Sequence, residues 1–201
     1  MRKTNVNLRD AIINAALPHV PFDGWTIGTL EKAAADSGHS PDMVIALFPG
    51  GVKEALDSFA DLADREMLKK LKALSTADMR VRDRVHKAVM TRFEFLQQHR
   101  EAERLALGYW ALPHHAPHAA KIVWRTADHI WDWAGDTATD YNRYTKRGLL
   151  SGVLASATLA WLNDDSADLH ITDEFVSRRI ENVMQLGRVL GKIKKSQKER
   201  A

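Results

Sequence analysis

With 201 residues and 45% apolar side chains, the chain can bury a real core, as one domain or as a small domain joined to a larger one. The absence of cysteine excludes disulfides and thiolate chemistry and suits a reducing compartment. The net charge is only +3, MRKTNVNLRD lacks an apolar signal core, and the longest nearly uncharged run, Gly148 to Asn163, is short of the roughly 20 residues of a membrane span, so the chain reads as soluble or peripheral. Leu8 to about Val20 predicts a first helix, with Pro18 disturbing its end. Thr26 can cap a second, which Ser37-Gly38 ends. Ser40 as N-cap and Pro41 at the first helical position predict a short third helix to about Phe48, stopped by Pro49-Gly50-Gly51. A long amphipathic helix from Gly51 to Leu74 carries Leu56, Phe59, Ala60, Ala63, Met67 and Leu71 at helical spacing. Ser75 or Thr76 caps the next, to about His99, and a shorter one runs from Glu101 to Ala111. HHAPH is a loop, Ala116 to Ala134 is a Trp-rich helix, and Gly135-Asp136 breaks it. Thr137 to Asp140 has capping-box spacing and opens a long helix to about Leu162. After an acidic loop, Asn163 to Asp168, Thr172 or Asp173 starts the last helix, to about Ile193. The expectation is an all-α protein of about nine helices: a three-helix unit over 1–50, a larger helical body over 51–195 and a basic tail over 196–201.

Residues 26 to 48 read as helix, tight turn, short helix. That pattern, followed by Phe48-Pro49, resembles the N-terminal domain of TetR-type repressors. The chemistry of the short helix argues against DNA. A recognition helix aims donors and acceptors at base edges and cations at phosphates. Pro41, Asp42, Met43, Val44, Ile45, Ala46, Leu47 and Phe48 supply no cation and one negative charge. The helix is then either a buried structural element or, through Met43 and Ile45, an exposed apolar patch for a partner or a lipid surface.

The most informative block is LPHHAPHAAKIVWRTADHIWDWAGDTATDYNRYTKRGLL, residues 112 to 150. Around residues 140 to 147 it crowds Asp140, Asn142, Arg143, Tyr144, Lys146 and Arg147 at a helix start. The helix dipole favours acids there, so local helix stability gives no reason for three cations. Tyr141 and Tyr144 share a face, and aromatics beside arginine make good interface anchors. The residues themselves allow a solvated charged helix start with one Tyr packed inward, or a partner surface.

LPHHAPHAA, then WDWAGDTATDYNRYTKRGLL, is similar to the signature region of the ubiquinone-biosynthesis accessory protein family, and AALPHVPFDGWTIGTLEKAAADSGHSPDMVIALFPGG also looks like it. The resemblance runs from about residue 9 to 190 and is carried most specifically by Ala134 to Arg147, with Ala138 where Ser or Thr is usual. It implies a TetR-like fold that binds lipid instead of DNA. It implies docking of the hydroxylase that acts late on the quinone ring, at Asp140, Asn142, Arg143, Tyr144, Lys146 and Arg147. It also implies an apolar slot for an isoprenoid quinone or a phospholipid between the long helices. The candidate lining residues are Phe93, Leu96, Tyr109, Trp110, Ile122, Trp131, Leu154 and Trp161. Some relatives carry a bulky aromatic where Arg143 stands, so this contact is expected to be weaker or rewired here. Some also extend into an amphipathic helix suited to a membrane surface, whereas GKIKKSQKERA has few apolar residues after Ile193.

Other features are read from the residues alone. Tryptophans at helical spacing, such as Trp124 and Trp131, are usually core. His114, His115 and His118 have poor ligand spacing between Pro113 and Pro117, so no metal is expected. No nucleophile elbow, phosphate loop or dinucleotide fingerprint is present, and neither catalysis nor a cofactor is expected. Gly148, Gly152, Ala155, Ser156 and Ala160 form a small-residue strip that suits close packing within the chain or a homodimer. The basic tail from Gly187 is a solvated helix end, or is drawn to an anionic membrane or an acidic partner. The expected function is a non-catalytic lipid-binding accessory factor, cytoplasmic or peripheral on the inner face of a membrane, with no nucleic-acid partner. The alternative is a TetR-type ligand-responsive regulator.

Overall fold

The computed structural model describes residues 2–137 and 141–198, with side chains over 5–137 and 142–185. Among the described residues there are ten α-helices, one turn of 3-10 helix and no strand, in keeping with the all-α expectation. They are α1 Arg2–Ala16, α2 Val20–Asp23, α3 Ile27–Asp36, α4 Met43–Leu47, α5 Val52–Leu71, α6 Val81–Leu96, α7 Arg100–Trp110, α8 Ala116–Trp133, α9 Tyr141–Leu162 and α10 His170–Lys198. The 3-10 turn, Gln97–His99, joins α6 to α7. The extra helix is α2, one turn set off from α1 at Pro18, with Pro21 in its first turn.

Thr26 caps α3 as expected, its hydroxyl accepting from the Thr29 N–H at 3.0 Å. The third helix differs from expectation. Ser40 and Pro41 do not open it; their carbonyls accept from Met43 and Val44 at 3.0 Å in a turn, and only Met43–Leu47 is helical. Val44 and Leu47 are buried, while Ile45 is 70% exposed. The start of α6 also differs: residues 74–80 are irregular and the helix begins at Val81, not at Ser75 or Thr76. Arg84 explains the delay. Its guanidinium donates to the Thr76 carbonyl at 2.9 Å and the Met79 carbonyl at 3.0 Å, so these groups bond to a side chain instead of a helix ladder. The Thr137–Asp140 capping box falls largely on residues 138–140, outside the described residues.

The chain divides into two compact units: residues 1–73 with 91–122, and residues 74–90 with 123–201. In the first, α1 packs on α3 and α5, and α2 packs on α7. Its core includes Ile12, Ile13, Leu30, Leu56, Phe59 and Met67. Arg65 forks onto Asp10 with bonds of 2.7 and 2.6 Å, tying α5 to α1. Arg92 donates to the fully buried Asp64 at 3.0 Å. In the second unit, α10 packs on α9 over Val153, Ala157, Trp161, Val176 and Ile180. The buried Asp164 carboxylate accepts from the backbone N–H of Thr172 at 2.7 Å and its hydroxyl at 2.6 Å, which fixes the start of α10. Burial opposes the Asp164 charge, but these bonds and those from Ser166 pull its pKa down to about 2.

The α8–α9 corner as a candidate functional site

The corner is built by the end of α8. Gly135 has φ +87°, and the N–H groups of Gly135 and Asp136 donate back to the carbonyls of Asp132 at 3.2 Å and Trp131 at 3.0 Å. This pair of bonds is a Schellman cap, for which glycine in the left-handed region is the favoured residue. A Cβ at Gly135 would also lie 3.3 Å from Arg84 Nη1, which donates to the Ala134 carbonyl at 3.1 Å. Ala134 itself is fully buried. Each residue of the Ala134-Gly135-Asp136 string therefore has a structural reason to be there.

Asp128, Asp132 and Asp136 recur every four residues and line one side of the corner. The α9 cations meet them. Arg147, only 1% exposed, donates through Nε to Asp128, through Nη2 to Asp132 at 2.9 Å and through Nη1 to Asp136 at 2.9 Å. Arg143 donates to Asp128 at 3.0 Å and Lys146 to Asp136 at 2.6 Å. Burial works against the Arg147 charge, yet its bonds to Asp128 and Asp136 raise its pKa and keep it protonated. Trp131 is clamped in the same corner: its indole N–H donates to the Lys146 carbonyl at 3.1 Å, and the Lys146 ammonium lies 5.4 Å from its ring centroid.

This corrects the reading of Arg147 as a partner contact. Its guanidinium is inside the fold, bonded to three carboxylates whose charge it shares with Arg143 and Lys146, and is closed to a partner. The absence of a local reason for the cations has a tertiary answer on α8, legible in the four-residue spacing of the aspartates. Of the other partner-surface residues, Tyr144 is 63% exposed, Asn142 is exposed, and Arg143 and Lys146 are half-buried in their ion pairs. Asp140 lies outside the described residues. Sequence reasoning read Trp124, with Trp131, as core, yet it is 36% exposed with its ring centroid 6.3 Å from that of Tyr144.

The residues expected to line a lipid slot fall in both units. Phe93, Leu96 and Ile122 are buried residues of the first, and Trp131, Leu154 and Trp161 of the second. Tyr109 and Trp110 instead join the histidine loop. Tyr109 stacks on His115 at 4.1 Å and Trp110 on His118 at 5.3 Å, and His118 Nε2 lies 3.3 Å from Asp57 Oδ2. Partial desolvation and the neighbouring His114, Lys53 and His118 lower the His115 pKa. Trp131 lines a gap of about 20 Å³ beneath α10, with Val85, Leu150, Val153, Ile180, Val183, Met184 and the stem of Arg82. That space holds about one water molecule. No cluster of three or more His, Asp or Glu fit for a metal ion occurs among the described residues. No helix among them is long and apolar enough to cross a membrane.

A family model, COQ9, matches residues 116–187, which contain the whole corner. The human protein named "Ubiquinone biosynthesis protein COQ9, mitochondrial" is 29% identical over 93% of this chain and 61% of its own length. COQ9-B of Xenopus laevis, with the same description, is 31% identical over 90% of this chain and 64% of its own length. The chain thus spans about three-fifths of the length of the curated relatives it matches. Among solved structures, a TetR transcriptional regulator from Nitrosomonas europaea superposes with a TM-score of 0.71 at 22% identity, covering 89% of this chain and 99% of that one, which shows a shared TetR-like fold. The resemblance carried by residues 134–147 therefore extends along most of the sequence: the chain is similar to the COQ9 ubiquinone biosynthesis proteins and has a TetR-like helical fold.

Proposed function

We propose that this protein is a non-catalytic accessory factor of ubiquinone biosynthesis, which holds an isoprenoid quinone intermediate or a phospholipid and presents it to a hydroxylase docked at the α8–α9 corner. The observation that carries the reading is the exposed Tyr144 beside Trp124, inside the segment matched by the COQ9 family model. The names of the relatives supply the pathway. On this reading the lipid tail enters beneath α10 at the apolar gap around Trp131, which widens when the half-exposed Met184 side chain turns out. The proposal includes peripheral contact with an anionic membrane and a homodimer through the small-residue strip of α9, where Gly152 and Ala155 are exposed.

Native mass spectrometry of gently purified protein tests the lipid half. An isoprenoid or phospholipid should co-purify and be depleted in Met184→Trp, which fills the gap from its exposed edge. A clean mass that short-chain ubiquinone and phospholipid vesicles both leave unchanged would end the carrier reading. A TetR-type regulator is the second reading, favoured by the shared fold alone. The apolar α4 stands against it.

A further inference from the structure

We propose that the cleft between α6 and α10 receives the head group of a phosphatidylethanolamine whose acyl chains occupy the apolar gap beneath α10; this rests on the reading that the gap takes a lipid tail. The cleft has a volume of about 370 Å³ and lies wholly within the second unit. Arg82 and Ile180 line both the cleft and the gap, so a polar chamber and an apolar one adjoin. Arg82 forms the boundary: its stem lines the gap, and its guanidinium lies 3.3 Å from Glu181 across the cleft. A head group at that junction leaves its chains on the apolar side and its charges on the polar one. The polar lining selects the head. Arg82, Arg178 and the Ser177 hydroxyl can donate to a phosphate, and Asp83 and Glu181 can accept from an ammonium. Two permanent cations against two carboxylates suit a zwitterion. The remaining polar group of the lining, His86, is held by Asp173 of α10 at 3.3 Å. A phosphatidylglycerol would bring its negative charge to Asp83 and Glu181 with no positive charge to offer them. A phosphatidylcholine has no ammonium N–H to donate, and no Trp, Tyr or Phe is among the described residues lining the cleft to hold a quaternary ammonium. The ion pairs already present do not block the site. Arg82 with Asp83 and Glu181, both at 3.3 Å, and Arg178 with Glu174 at 3.4 Å are solvent-exposed. Exposed pairs are weak, so the phosphate and ammonium of a ligand can join or replace them.

The test incubates the full chain with vesicles of equal parts phosphatidylethanolamine, phosphatidylcholine and phosphatidylglycerol, matched in acyl chains, and reads the bound lipid by native mass spectrometry. Phosphatidylethanolamine should be retained over each of the others by about tenfold, a difference that one charge-assisted hydrogen bond supplies. Arg178→Ala should lower retention of all three by about fivefold, because all three carry the phosphate. Glu181→Lys should invert the preference towards phosphatidylglycerol while the thermal midpoint holds, since the side chain is exposed. Soluble glycerophosphoethanolamine, which has the head and no chains, should bind at least about 100-fold more weakly than the lipid. Lipid retained without head-group preference, or a preference that Glu181→Lys leaves unchanged, would overturn the cleft assignment and leave the carrier reading standing. So would binding of short-chain ubiquinone where no phospholipid is retained. Glycerophosphoethanolamine binding as tightly as the lipid would make the cleft a site for a soluble phosphoamine and the proposal wrong. Retention of neither phospholipid nor ubiquinone would overturn the carrier reading as well.

Discussion

Arg147 and Tyr144 lie three residues apart on α9 and behave oppositely. Arg147 is buried among three aspartates, one of them, Asp136, with a side chain only 4% exposed. Its replacement by alanine leaves those carboxylates without their shared cation and should destabilise the protein by about 3–5 kcal/mol in urea unfolding, as loss of one partner of a buried ion pair does. Tyr144→Ala, at an exposed site, should stay within about 0.5 kcal/mol in the same measurement. Equal destabilisation by the two variants would show that the corner is not divided into an internal lock and an outer surface. The sequence makes the crowding of cations at residues 143–147 plain but not their destination, because the partners sit on the preceding helix. The spacing of Asp128, Asp132 and Asp136 was the available signal. Nothing in the sequence marks Arg84, since an arginine on a helix is usually solvated and only the fold shows it gathering three carbonyls.

At the scale of elements, the helices with a long apolar period, such as α5 with Leu56, Phe59, Ala63 and Met67, are legible because one buried stripe dictates the spacing. Starts that depend on distant groups are not. The first turn of α10 takes its acceptor from Asp164, six residues before the helix begins, so it starts at His170 instead of the Thr172 or Asp173 that local capping suggests. This contact should be sensitive to acid. The folded pKa of Asp164, about 2, lies below the unfolded value of about 3.9, so the charged carboxylate stabilises the fold above pH ~4. That contribution should fade as the pH falls from about 4 towards 2. Asp164→Asn should flatten this limb of the stability–pH profile measured by circular dichroism; an unchanged limb would show that the acid transition has another origin.

At the scale of the whole molecule, the chain has a TetR-like fold, and its short helix α4 carries no base-reading side chain. Residues 43–47 are Met, Val, Ile, Ala and Leu, and Ile45 presents a branched hydrocarbon where a base-reading donor would stand. Fluorescence anisotropy with a random duplex at low salt should show no binding tighter than about 100 μM, the weak limit of ordinary non-specific affinity. Salt-sensitive binding in the micromolar range would instead favour the regulator. The TetR-like fold was legible because glycine, proline and the Thr26 cap fix the helix-turn-helix outline by local chemistry. The division into two units was not. Residues 91–122 join 1–73 across an intervening segment, and no linker or compositional shift marks either boundary.

The six charges of the corner also have a consequence for descent. Because one guanidinium serves three carboxylates, Arg147 cannot be lost alone without leaving carboxylates short of a cation. Arg143 is the member that lineages can replace most freely, since Asp128 keeps Arg147 when it goes. Loss of Asp136 would strand Lys146 and loosen Arg147 together, so sequences lacking an acid there should also have changed one of those two cations. Arg147 and its carboxylates should thus change together, with Arg143 free to vary.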